Sequence, residues 1–190
     1  MYRAVSDPYS YPGTAVLINR LGLRDAASLE QFELAMTTQR FEEGLPSGRL
    51  GAAHYRAIHR HLFKDVYRWA GKYRTVRISR GASTFCYPEN IDGELIKLFA
   101  RLKAEDYLRH RPASGFAVSA AAFLAELNAV HAFRDGNGRA QFGFMAVLAA
   151  RAGFPLNFSH LLPERFLQAM VASFQGNERL LVAEILRMTA

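Results

Sequence analysis

Between two apolar segments lies the run His131-Ala132-Phe133-Arg134-Asp135-Gly136-Asn137-Gly138-Arg139. It places a base, a carboxylate, a glycine-flanked turn and a cation side by side. An imidazole accepts a proton near neutral pH, which makes His131 the candidate catalytic base. Asp135 suits Mg2+, which prefers one or two carboxylates together with phosphate oxygens. Gly136 and Gly138 permit a sharp turn and a close backbone approach to an anion, and Asn137 between them offers an amide donor. The helix that follows opens with N–H groups that have no intrahelical acceptor, and Arg139 brings a fork of donors to a second phosphate. Phe133 points the other way and anchors the loop to the core. Taken singly, a histidine at a helix end is an ordinary C-cap and Asp-Gly-Asn-Gly an ordinary tight turn. Taken together, they suit transfer of a phosphate-containing group to a hydroxyl.

The elements around this run must deliver it to one place. Residues 117–130 are almost wholly apolar, including Val118, Phe123, Leu124 and Leu127, and predict a buried helix ending at His131. A second helix is expected over 138–152, stopped by Gly153 and Pro155. The apolar spacing further predicts a short helix over 14–23 and a longer one over 28–43, with Leu29, Phe32, Leu34, Ala35 and Phe41 on its apolar side. Helices are also expected over 51–63, 91–107, 163–174 and 178–188. His59 and His61 fall on different sides of the helix over 51–63, a poor arrangement for a shared metal, so both read as structural. Residues 72–87 differ: Tyr73, Thr75, Val76 and Ile78, then Thr84, Phe85 and Tyr87, favour a short hairpin around Gly81. The chain reads as mainly α with one small hairpin.

At 190 residues the chain fits one domain with a substantial core. Half of its residues are hydrophobic, and its single cysteine, Cys86, leaves no internal disulfide, which suits a cytosolic origin. Met1 to Gly13 is polar and broken by Pro8 and Pro12, unlike a signal peptide, and no apolar run suggests a membrane span. The formal net charge of +7 is spread along the chain rather than gathered in a basic run. General surface charge is the favoured reading, and direct nucleic-acid binding is not expected.

The run His131–Arg139 resembles the signature of the Fic family, HxFx(D/E)GNGRxxR. Further likeness lies in Ile58–Phe63, Asp65-Val66-Tyr67, Trp69-Ala70-Gly71, Arg74–Ile78 and the N-terminal Tyr11-Pro12-Gly13-Thr14, so it spans about 11–186. The resemblance implies a single Fic domain over 1–190: a helical bundle around a central helix–loop–helix, motif 131–142, with a β-hairpin flap at 79–87. It implies transfer of AMP from ATP to a Tyr, Ser or Thr hydroxyl of a protein. In it His131 is the base, Asp135 holds Mg2+, Gly136, Asn137 and Gly138 form the anion hole, and Arg139 binds the β-phosphate. The flap, from Ser79, Arg80, Gly81 and Ala82 to Ser83, Thr84 and Phe85, docks the target by strand-like pairing. The branch it resembles consists of bacterial toxins that act in the cytoplasm or after secretion into a host cell. Their targets include type II topoisomerase subunits, and the resemblance implies that inhibition comes from a separate small antitoxin that supplies an inhibitory helix, or does not occur. That helix pattern, (S/T)xxxE(G/N), is not found here; at Glu43-Gly44 the required Ser or Thr is Gln39. The chain departs from the signature at Phe142, where the family has a second arginine for the terminal phosphate. This leaves open another donor, such as CDP-choline or a different nucleoside triphosphate, or a weakened nucleotide-binding module.

Overall fold

A computed structural model describes residues 7–80 and 83–189, with only the backbone of Arg80 and Ser83. Met1–Ser6, Gly81, Ala82 and Ala190 lie outside the described residues, so two of the expected flap positions are not placed.

The elements in chain order are α1 (Ala26–Glu42), α2 (Ala52–Phe63), β1 (Ser79–Arg80), β2 (Ser83–Thr84), α3 (Ile91–Ala104), α4 (Ala113–Val130), α5 (Asn137–Ala152), α6 (Pro163–Phe174) and α7 (Arg179–Met188). Their ends follow from local chemistry. Asp25 caps α1 by accepting the Ser28 N–H at 2.8 Å. Pro163 opens α6 where no amide proton is needed, and Gly153, at φ 94°, ends α5 in the left-handed region.

The middle of the bundle is α4, packed against α3, α5, α6 and α7. By length and composition α4 is apolar enough to cross a membrane, which the sequence did not suggest, yet 56% of it is buried inside the protein. Phe116, Ala117, Ala120, Ala121, Leu124 and Leu127 are fully buried, whereas Val118, expected in the core, is 54% exposed. From α2 come Tyr55, Ile58, Leu62 and Phe63, all essentially inaccessible and each stabilising by about 1.5–3 kcal/mol through burial. Tyr55 packs on Phe133 of the motif at 5.0 Å between ring centroids, so the core and the loop share a wall.

Two expectations fail nearby. Residues 14–23 are not helical: Leu17 bridges to Ser10, and the Asn19 side chain holds the Leu17 and Leu23 carbonyls while accepting the Leu23 N–H. With those partners the segment satisfies its backbone without a helical turn. On α1, Leu34 is 62% exposed and Ala35 is exposed too, because only Leu29 and Thr37 of this helix are buried.

The hairpin is shorter than its β-prone residues suggest. β1 and β2 pair antiparallel through Ser79↔Thr84 and Arg80↔Ser83. Its root is fixed by Arg74, 2% exposed, which donates from Nε to the His131 carbonyl at 2.8 Å and from Nη1 to the Val76 carbonyl at 2.7 Å. Nη2 reaches the Cys86 and Val130 carbonyls as well. Burial pulls the guanidinium pKa down to about 10, far enough above neutrality to keep the charge. Arg74→Met is expected to cost about 3–5 kcal/mol, because it strands several buried carbonyls at once. Urea denaturation checks this; a loss below about 1 kcal/mol would show that the flap root holds by other contacts.

Candidate active site

The α4 helix ends at His131, which adopts φ 49° and ψ 59°, left-handed values that turn the chain out of the helix. The ring is 5% exposed and stacks on Phe85 of the hairpin at 3.8 Å. Its Nδ1 lies 3.1 Å from the Asn128 carbonyl, an acceptor, so Nδ1 carries the proton and the basic lone pair falls on Nε2.

The loop then closes on itself. Asn137 accepts the Phe133 N–H at 2.9 Å and donates to the Phe133 carbonyl at 2.8 Å, with no exposed surface. Its side-chain amide therefore shapes the loop, with one of its two N–H donors given to the Phe133 carbonyl. Gly136 takes φ 76° at the N-cap of α5, and a Cβ there would meet the Phe63 ring at 2.2 Å. Gly138, in contrast, is exposed, and a Cβ on it would meet nothing within 4 Å. The fold demands the first glycine and leaves the second facing open space. Asn137, Gly138 and Arg139 form the first turn of α5, whose N–H groups have no intrahelical acceptor.

Asp135 accepts the Gly136 N–H at 2.6 Å. Burial pushes its carboxyl above the usual range, and the negative charge of Glu33 adds to this. Among the described residues no group of three or more His, Cys, Asp or Glu forms a metal cage. A single carboxylate beside an anion-accepting helix start still fits Mg2+, which takes its remaining ligands from phosphate and water.

Glu33, on α1, is the residue that sequence reasoning missed. Its Oε1 accepts from Arg139 Nη2 and its Oε2 from the Tyr67 hydroxyl, and it is largely buried. Arg139 Nη1 donates to Thr37 Oγ1 at 3.2 Å, and the guanidinium lies over the Phe63 ring at 4.6 Å. Two α1 side chains and one ring thus hold the arginine, while among the described residues its other N–H donors remain for a ligand. Burial and the Glu33 charge keep Tyr67 protonated. Arg134, between Phe133 and Asp135, is buried and pairs with Asp7.

Of the three histidines on α2, the two read as structural engage backbone groups: His61 Nε2 lies 2.7 Å from the Arg40 carbonyl. His59 accepts the Gly71 N–H on Nδ1 at 2.9 Å and donates from Nε2 to the Asp135 carbonyl at 2.9 Å. Burial pushes its pKa down to about 3. The unfolded chain therefore takes up this proton first, so the stability is whole above pH ~6.5 and is lost as pH falls toward ~3. The expected loss reaches about 1.4 kcal/mol per pH unit in that window. Urea midpoints of the wild type and His59→Gln between pH 7 and 4.5 test this. The wild type should weaken on acidification more than the variant, and parallel curves would contradict the assignment.

Phe142 is half-buried among Phe41, Phe158 and Phe166, at centroid distances of 6.3, 5.7 and 5.5 Å. An aromatic cluster joining α1, α5 and α6 occupies the position where the signature has an arginine. Beside the flap lies a cleft of about 560 Å3, lined in part by Thr84, Phe85, Asn90, Leu98 and Ala129.

A mainly helical fold, carrying a base and a carboxylate at an anion-accepting helix start, defines a class of nucleotide-handling enzymes. The model of the Fic/DOC family matches residues 49–149. A Sinorhizobium fredii protein named probable protein adenylyltransferase y4lH is 51% identical over 188 residues, 98% of each chain. The Escherichia coli protein named probable protein adenylyltransferase Fic is 36% identical over 173 residues, 90% of this chain and 86% of that one. Among solved structures, BepC of Bartonella tribocorum with bound AMPPNP superposes with a TM-score of 0.85 at 27% identity, covering 95% of both chains. An N-terminal Fic domain from Bartonella quintana with bound ADP gives 0.86 at 29% identity, covering 95% of this chain and 93% of that one. The chain belongs to the Fic/DOC family, with the mainly α fold of these structures. It is an enzyme of the nucleotidyltransferase class.

Proposed function

We propose that this chain moves AMP from ATP to a Tyr, Ser or Thr hydroxyl of a target protein and releases pyrophosphate. The observation that carries this reading is the placing of His131, with its lone pair on Nε2, at the loop that opens α5. In the reaction, Nε2 takes the hydroxyl proton as the oxygen attacks the α-phosphorus, and the bond from that phosphorus to the β-phosphate bridge breaks. The first N–H groups of α5 receive the phosphate charge, and Arg139, held by Glu33 and Thr37, takes the β-phosphate. Asp135 would hold Mg2+, which neutralises phosphate charge when bound. The edge of the β1–β2 hairpin pairs with the target segment and brings its hydroxyl to His131.

The reading extends to a toxin role in the bacterial cytoplasm or, after secretion, in a host, with a target such as a type II topoisomerase subunit. A separate antitoxin helix would restrain it. This is supported by Glu43, the one residue near the inhibitory pattern, being held by Arg40 at 2.6 Å on the surface. Phe142 favours a second reading, in which the donor lacks the terminal phosphate that an arginine there would bind, as CDP-choline does. Intact-mass spectrometry with ATP, GTP, UTP, CTP and CDP-choline, each with Mg2+ and lysate proteins, separates the two. An AMP adduct from ATP supports the first reading, and an adduct only from another donor replaces it with the second.

A further inference from the structure

The solvent side of α2 carries a cleft of about 550 Å3 that the transfer reaction does not use. Arg56, Arg60 and Lys64 follow one another at four-residue intervals, in one row about 6 Å apart along the axis. Arg20, Arg68 and Lys72 line the same cleft from the two loops that meet behind the helix, where the Arg20 N–H donates to the Val66 carbonyl at 2.9 Å. Charges dispersed in sequence are thus gathered in space. No carboxylate lines the cleft, and among the described residues none of the six cations is in an ion pair. The neighbouring Asp65 is committed to Arg40 at 2.6 Å. Elsewhere Lys97, Arg101, Arg109 and Arg111 each have a carboxylate partner. Asp65 offsets part of the charge of Lys64 and Arg20, yet six cations in one cleft still repel one another, and an anionic ligand lowers that cost.

The lining selects among anions. Alanines and a glycine (Ala53, Ala57, Ala70 and Gly71) lie between the cations, so a polypeptide backbone approaches closely while the arginine forks take its carboxylates in pairs. Single-stranded nucleic acid is held by stacking bases on aromatic faces. The one aromatic lining residue, Tyr67, is 2% exposed and bonded to Glu33, so it offers no such face. A duplex is too wide for a cleft of this size.

We infer that this cleft binds an acidic segment of a partner polypeptide. The binding is independent of AMP transfer and is measured without it. The experiment follows fluorescence anisotropy of a labelled oligoglutamate on the full chain at increasing salt. The variant R56A/R60A/K64A is compared with R49A/K103A/R151A, which removes the same charge from exposed positions outside the cleft. The cleft variant should bind about tenfold more weakly and the control within about twofold of the wild type. Arg56→Gln with Lys64→Gln, which removes two charges but keeps a polar side chain with part of the stem, should show the same direction if the alanine variant folds poorly. Equal losses in the two triple variants would overturn the inference in favour of general charge. Stronger competition by single-stranded DNA of matched charge than by unlabelled oligoglutamate would overturn it in favour of nucleic acid.

Discussion

His131→Asn is expected to fold, to bind nucleotide and to transfer about 10²–10⁴-fold more slowly than the wild type. Asparagine is chosen because the position holds φ 49°, a region that asparagine tolerates better than alanine. Among the contacts of the His131 ring are Phe85 and the Asn128 carbonyl, neither of which belongs to the phosphate-facing first turn of α5. Loss of the imidazole therefore removes the proton acceptor and leaves the anion contacts in place. Single-turnover labelling, paired with calorimetry of a non-hydrolysable ATP analogue, checks both halves. Wild-type-like transfer would remove His131 from its role, and loss of nucleotide binding would show that the ring serves ground-state binding instead.

The two glycines of the loop are expected to part company. Gly136→Ala forces a side chain into φ 76° and places its Cβ 2.2 Å from Phe63, a ring with no exposed surface. The clash and the left-handed backbone together should cost about 3 kcal/mol or more. Gly138→Ala meets no atom within 4 Å and sits in the first turn of α5 at an ordinary backbone angle. Alanine there should leave stability within about 1 kcal/mol of the wild type, or raise it slightly. The same methyl lies where a phosphate approaches the helix start, so ATP affinity should fall while the melting temperature holds. Urea titration and calorimetry separate the outcomes. A Gly138→Ala protein that binds ATP normally would mean that the anion does not approach this backbone.

The loop was legible because its chemistry is local: His131, Asp135 and Arg139 lie within nine consecutive positions and need no knowledge of the tertiary fold. The C-terminal end of α5 was legible for a similar reason, since Gly153 and Pro155 act locally. What supports the loop was not. Glu33 reaches Arg139 across 106 residues, and Arg74 reaches the His131 carbonyl across 57. Neither pairing leaves a periodic trace, since an arginine or glutamate in sequence looks the same whether solvated or buried. A further role of Asn137 was hidden too: its side chain satisfies the Phe133 backbone that the turn would otherwise leave unpaired. Residues 14–23 carried helical spacing, but contacts of Asn19 and Leu17 settled their backbone first. The basic cleft was equally hidden, because Arg20 joins the α2 row only once the chain has folded back on Val66.

The most direct test of AMP transfer compares ATP labelled at the α-phosphate with ATP labelled at the γ-phosphate, using the wild type and His131→Asn. Protein should retain the α-label and not the γ-label in the wild type, with both absent in the variant. Retention of the γ-label would mean phosphoryl rather than adenylyl transfer, and equal α-labelling by the variant would contradict the account of the site.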